Sequence, residues 1–389
     1  MRISGLLYFP LWGSKHRQPR NSSKLIRGAY MKTRTILAAA ALLACVFLTA
    51  PAADAKPIEL SFSATTYETH PVNVNGLTPF MNIINEVTGG KVECTFFNPG
   101  TLCPGNEIVP NTASGVLDYG LSGLGQTAGR YPLWGVLDLP LLFNSAAHVG
   151  VVATKLYEEF PELQKELAEF KPVNLGGSAP FVLLTIDPVN KLEDMAGKKI
   201  GSSIGSSVPV LNALGASPII MPATDLYMGL QRGMIDGVVF PIPAISSFKL
   251  QEVAKNMTIV PIMAGTSFGM FNKKTWEKLP EDCQKAIEPY LGMRAMISFT
   301  NCTDGFIPIE TEKLKAAGVK VTVLDAAEVA RWADKVDPLY EKWIADMEAK
   351  GHPQARAIYE RTRALATEYT NEKIEEVKKT VEPFNKPIK

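Results

Sequence analysis

The chain has 389 residues, 46% of them hydrophobic and 20% charged, an ordinary globular composition with length enough for two lobes. Its 40 basic and 39 acidic residues leave no footprint for nucleic acid, and no apolar run reaches the roughly 20 residues that span a bilayer. The N-terminus reads as export machinery instead. Met31-Lys32-Thr33-Arg34 is a basic start, Ile36 to Leu48 is apolar, and Ala53-Asp54-Ala55 is a small-x-small cleavage site. This predicts a signal peptide over 31–55 and a mature chain from Lys56. Residues 1–30, with six basic and no acidic residues, then read as an upstream mis-start with Met31 as initiator. Leu42-Leu43-Ala44-Cys45 loosely matches a lipoprotein box, but the apolar run continues through Leu48 where lipid tethers turn polar. Cleavage after Ala55 is the preferred reading. It removes eight basic residues and one acidic, leaving 32 against 38 and a net charge of −6.

Four cysteines remain: Cys94, Cys103, Cys283 and Cys302. Disulfides persist in exported proteins, and four cysteines allow three pairings. Cys94 and Cys103 flank the turn Asn98-Pro99-Gly100, so a strand-to-loop staple is open; so are buried free thiols throughout. Cys283 and Cys302, if carried by one helix, would stand about 28 Å apart and could not bond.

Ile58, Leu60, Phe62 and Ala64 alternate with polar residues as a first strand, followed by a loop over 65–71 at its carboxyl end. Phe80, Ile83, Ile84 and Val87 form a helical face ended by Gly89-Gly90, and Val92 to Phe97 is a strand. A turn-rich loop over 98–105 and a short helix lead to a strand over 116–121 and to Ser122–Gln126. Helix is expected near 146–169. Val173 to Thr185 reads as one long strand crossing to a second lobe, and Ile259 to Phe271 as an extended run returning.

Between those crossings lies strand–helix alternation. A strand ends at Lys199-Ile200, and a Gly/Ser turn spans 201–207. Val208, Leu211 and Leu214 recur at helical spacing, Pro218 to Met221 is a brief buried strand, a helix capped by Thr224 or Asp225 carries Leu226 and Leu230, and Ile235 to Phe240 is strand again. Such alternation builds a parallel sheet that meets ligands at the carboxyl ends of its strands. Val329, Trp332, Val336, Leu339, Trp343 and Met347 form one amphipathic pattern ended by Gly351, and a polar helix follows Pro353. The fold class is α/β, two-lobed, with a hinged interlobe cleft and a helical C-terminal region. Lobe I is expected over 56–178 and about 264–305, lobe II over 179–263 with part of 306–350, and a C-terminal helix over 351–389.

Gly201-Ser202-Ser203-Ile204-Gly205 fits G-x-S-x-G between strand and helix, the setting of a hydrolase nucleophile. A triad needs a downstream histidine, and only His352 follows Ser203, in Gly-His-Pro between helices. The competing reading is a helix start whose serines cap free N–H groups. His70 and His148 stand in no cluster with metal-ligand spacing, and Gly120 to Gly125 lacks the nucleotide fingerprint, so neither metal nor cofactor is expected.

Longer motifs say more. LGASP, MP and DLYMGLQRGMIDG (within 214–237), PGTL and GNEIVPNTASGVLDYGL (within 99–121), YPLWGVLDLPLLF (131–143) and FGMFNKKTWEKLPEDCQKAI (268–287) resemble the extracytoplasmic solute-binding proteins of TRAP transporters, the DctP-like family. The resemblance covers roughly 57 to 350. It implies a periplasmic-binding-protein-like fold, a monomeric periplasmic binding subunit rather than an enzyme, a small organic ligand, and membrane permease subunits as partners. In most members the strand before the Gly/Ser turn ends Lys-Ile-Arg, and that arginine grips a carboxylate. Here the sequence reads Lys199-Ile200-Gly201, and no arginine lies between Arg130 and Arg232. Val182 stands at a second usually polar position, and Phe240 where an asparagine is usual. The resemblance thus implies a drier, more aromatic cleft, with Tyr67, Gln126, Phe181, Ser202, Ser203, Tyr227 and Phe240 as ligand-binding residues. Free N–H groups at Ser202-Ser203 offer a carboxylate an alternative hold. The other function classes are a serine hydrolase using Ser203, which ester turnover abolished by Ser203→Ala would reveal, and a ligand-sensing subunit of a membrane receptor.

Overall fold

Two sheets organise the chain, each built where apolar strands alternate with helices. The computed structural model describes residues 56–127 and 129–380; the stretches expected to be a mis-start (1–30) and a signal peptide (31–55), with Cys45, and the chain beyond Thr380 lie outside the described residues. The first sheet has strand order β2-β1-β3-β10-β4, with β1 at Ile58–Ala64, β2 at Val92–Phe97, β3 at Tyr119–Ser122, β4 at Phe170–Gly177 and β10 at Thr266–Asn272. β1 runs parallel to β2 and β3, and β10 antiparallel to β3 and β4. Register puts Phe62 opposite Tyr119, and their rings stack with centroids 4.4 Å apart. Phe80 and Phe299 close the same apolar cluster from two helices. Burying each such ring stabilises the lobe by roughly 1.5–3 kcal/mol.

The second sheet has order β11-β9-β5-β8-β6-β7, with β5 at Phe181–Thr185, β6 at Lys199–Ser202, β7 at Ser217–Ile220, β8 at Gly237–Pro241, β9 at Asn256–Met263 and β11 at Lys320–Val323. β6 is parallel to β7 and β8, as strand–helix alternation requires. β6 itself runs on through Gly201 and Ser202, which the sequence places in a turn. β7 is an edge strand with both ends exposed, not a buried one, because only β6 pairs with it.

Each expected long strand is two. Phe170–Gly177 and Phe181–Thr185 are separated by Ser178-Ala179-Pro180, and Asn256–Met263 and Thr266–Asn272 by Ala264-Gly265. Pro180 offers no ladder donor, which is a local reason for the first break. The two breaks lie side by side: Ser178 N–H donates to the Gly265 carbonyl at 2.9 Å, and Gly265 N–H to Ser178 Oγ at 3.1 Å. A third connection is the 24-residue helix Met293–Ala316, whose Phe299 packs in the first lobe and Leu314 in the second.

The pattern over 329–347 breaks at Asp337. Ala326–Val336 buries Trp332 and Val336 in the second lobe, while Pro338–Ala349 buries Ile344 and Met347 against Trp134 in the first. Pro338 cannot continue the first helix and suits the opening turn of the next. Two helices, Ala355–Glu368 and Asn371–Thr380, stand where one was expected after Gly351. Ile358, Tyr359 and Leu365 of the former join the Trp134 cluster. All four cysteines in the described residues are free thiols, so the Cys94–Cys103 staple is absent. Cys283 and Cys302 lie on separate helices, Glu281–Ile287 and Met293–Ala316. Burial pushes the Cys94 thiol up to about 12 and Cys302 to about 11, which keeps both protonated and unreactive.

Candidate functional site

The carboxyl ends of the parallel strands converge between the lobes, where loops leave each strand and the crossings form a floor. From the first lobe come Thr65, Thr66 and His70 after β1, and Gly123 and Gln126 after β3. The second lobe supplies Phe181 from β5, Ser203 and Ile204 after β6, Phe240 from β8 and Phe248 after the helix Ile242–Ser247. Ser178, Thr266 and Thr303 complete the cavity from the crossings and the long helix. The cavity and the open space in front of it together come to about 800 Å³. It opens onto a groove between Pro99–Asn106 of one lobe and Ile220–Thr224 of the other, and the two share Thr65, Gln126, Ser203, Ala223 and Phe248.

An aromatic chain spans the cleft. Phe240 meets Phe248 edge-on at 5.5 Å, and Phe248 meets Tyr67 of the opposite lobe at 5.6 Å. No Lys, Arg, Asp or Glu lines either the cavity or the groove among the described residues. His70 is the titratable group on the wall. Its Nδ1 accepts the Val72 N–H at 3.2 Å, which places the proton of the neutral ring on Nε2. Burial lowers its pKa to about 4 against the pull of Glu310, so the ring is neutral at ordinary extracellular pH. Asn73 Nδ2 pins the loop that carries His70 by donating to the Thr66 and Tyr67 carbonyls at 2.9 and 2.8 Å.

Of the expected ligand residues, Gln126, Phe181, Ser203 and Phe240 are brought together on this cavity. Tyr67 stands behind Phe248 rather than on the wall. Ser202 and Tyr227 are corrections. Ser202 is fully buried and its Oγ accepts the Ile204 N–H at 3.2 Å, while Tyr227 lies against the second lobe's core and donates to Glu252 at 3.2 Å. The three positions expected to lose polarity also separate. Only Phe240 faces the cavity; Val182 packs into the second lobe's core, and a Cβ at Gly201 would point at Ile235 and Leu226. A side chain at Gly201 would therefore start among apolar side chains of the second lobe's core, on the sheet face that also carries Val238 and Phe240. No hydrogen bond between Ser203 and a histidine is found among the described residues.

Sequence reading missed His70, Thr303 and Phe248. The loop after the first strand already marked the region of His70, since strand carboxyl ends are where such sheets bind. Thr303 carries no local signal, because it reaches the cavity only through the path of the long helix.

Residues 62–346 match the family model described as bacterial extracellular solute-binding protein, family 7 (DctP). The chain belongs to that family. Among similar proteins is the uncharacterized protein YiiZ of Salmonella typhimurium, 28% identical over 72% of this chain and 83% of YiiZ. A TRAP solute-binding protein of Rhodoferax ferrireducens, solved with copurified benzoate, superposes with a TM-score of 0.75 at 21% identity, covering 80% of this chain and 98% of that one. A TRAP periplasmic solute-binding protein of Bordetella bronchiseptica, solved with both mandelate enantiomers, gives 0.73 at 23% identity over 81% and 100%. This chain shares its overall fold with these two solved TRAP solute-binding proteins. Among the described residues no helix is long and apolar enough to cross a membrane.

Proposed function

We propose that this protein is the periplasmic receptor of a TRAP transporter, closing its lobes on a small solute with an aromatic ring and presenting it to the membrane permease subunits. The observation that supports this best is the wall of Phe181, Phe240 and Phe248 set between lobes whose two strand crossings are hydrogen-bonded side by side. Apolar pockets with a few placed polar groups suit such ligands. The benzoate and mandelate carried by the two structural neighbours, both ring-bearing, agree in kind. In this reading the chain changes lobes at Ser178–Pro180 and Ala264-Gly265. Gln126 and Ser203 supply polar contacts, and Tyr67 backs the ring of Phe248.

Closure and binding test it together. A ligand at a hundredfold excess over its Kd should stabilise the protein by ~2.7 kcal/mol through mass action and contract its scattering profile. Replacing Phe240 by Ala should weaken an aromatic ligand by roughly ten- to a hundredfold, since a buried ring contact is worth about 1–3 kcal/mol. Identical scattering with and without saturating ligand argues against closure. Aromatic binding that ignores Phe240→Ala argues against this cavity.

A further inference from the structure

We propose that the cleft selects solutes in uncharged form: neutral aromatic molecules bearing a hydrogen-bond acceptor, such as carboxamides, in preference to the matching carboxylates. The inference rests on the aromatic reading of the same cavity and adds the charge state of what enters it.

Three observations carry it. First, neither the cavity nor the groove in front of it presents a Lys or Arg among the described residues. A carboxylate leaving water here meets hydroxyls, one amide, the Ser203 N–H, a neutral imidazole and aromatic edges but no cation, and neutral donors alone repay the loss of its hydration poorly. Second, the Ser178 hydroxyl is already engaged: its Oγ accepts from the Gly265 N–H at 3.1 Å and donates to the Ala179 carbonyl at 3.1 Å. Third, the charged group whose field is felt at His70 is an acid, Glu310. Its side chain is 4% exposed, while its partner Lys313, at 2.7 Å, is 61% exposed and reaches out into solvent. The nearby field therefore favours a cation, not an anion.

His70 then has one role. With Nδ1 committed to Val72, the proton of the neutral ring sits on Nε2, and in this proposal that N–H is the donor offered to a neutral acceptor. Serving a carboxylate as an imidazolium would require it to take up a proton against its own burial. A carboxamide and a carboxylate have nearly the same shape, so a preference between them reports charge and not fit.

Calorimetry on the purified protein with matched pairs decides it: benzamide against benzoate, 3-hydroxybenzamide against 3-hydroxybenzoate, and mandelamide against mandelate. At pH 7.5 each amide should bind at least about thirtyfold more tightly than its acid. Any residual binding of the acids should strengthen about tenfold per unit as pH falls toward 5.5, with close to one proton taken up in buffers of different ionisation enthalpy. Acids that bind as tightly as the amides or better, with affinity independent of pH, would overturn the charge assignment and leave the aromatic reading standing. If neither series binds, both fall together.

Discussion

Replacing Gly201 with arginine should cost at least about 4 kcal/mol of stability and create no binding of dicarboxylates, because the position faces the core. Gly201 lies on β6 between two fully buried neighbours, Ile200 and Ser202. A Cβ there would sit 2.6 Å from Ile235 Cδ1, 3.0 Å from Leu226 Cδ2 and 3.5 Å from Val238 Cγ1. The first distance is a collision, but with the mobile end of a side chain, so Gly201→Ala should cost only about 1–3 kcal/mol by overpacking. Arginine adds a guanidinium with no acid among those neighbours. A buried unpaired charge is the larger penalty, and its long stem must also displace a packed cluster. Urea unfolding of both variants at one pH measures the difference. An arginine variant within about 1 kcal/mol of the parent would mean that its side chain escapes into the cleft, and that β6 does not hold residue 201 toward the core.

That register is where legibility in the sequence ended. Periodicity placed the elements well wherever local spacing sets them, as for Ile58 to Ala64 or Val92 to Phe97. It could not see that β6 continues through two small residues, because Gly201 and Ser202 read as turn formers until pairing with Ile219 and Ile220 is known. Reach matters as well as facing: Val182 and Phe240 are cross-strand partners on one face of β5 and β8, but only the longer Phe240 side chain touches the cavity. Gln126, Ser203 and Phe240, which line the cavity, follow or end β3, β6 and β8, where strand carboxyl ends drew the eye; Phe181 opens β5 and was offered by the resemblance alone. Breaks at Ser178–Pro180 and Asp337-Pro338 were marked by proline yet overridden by the apolar pattern around them. Phe248 and Thr303 depend on how the lobes meet, which no window of sequence contains.

The lobes also meet at Asp138, and its pH behaviour can be separated from that of His70. Asp138 ends the turn Leu133–Asp138 in the first lobe, is 6% exposed, and lies close to Ser206 of the second. Both approach Gly125: a Cβ there would come within 2.4 Å of Asp138 Oδ2 and 3.1 Å of Ser206 Oγ. Burial raises the Asp138 pKa to about 7, opposed less strongly by the Ser206 hydroxyl and the Thr266 backbone N–H. The folded protein therefore keeps a proton on Asp138 that the unfolded chain releases near pH 4, so this group makes stability fall as pH rises from about 4 to 7. His70 does the reverse. Its pKa of about 4 in the folded state, against 6.5 for a free ring, makes stability rise with pH over about 4 to 6.5. In that shared window the folded state gains one proton and forgoes another, and the two slopes nearly cancel. Asp138→Asn should unmask the His70 slope, a gain of about 3 kcal/mol between pH 4.5 and 7 relative to the parent, since each tenfold change in proton affinity is worth about 1.4 kcal/mol. His70→Gln should unmask the opposite slope, of similar size. Taking each variant as a difference from the parent removes the other titrating groups, provided they are distant. Urea unfolding at pH 4.5, 5.5, 6.5 and 7.5 supplies the curves. Parallel curves for Asp138→Asn and parent would show that the carboxyl is not the proton holder between the lobes, and slopes of equal sign in the two variants would overturn the compensation.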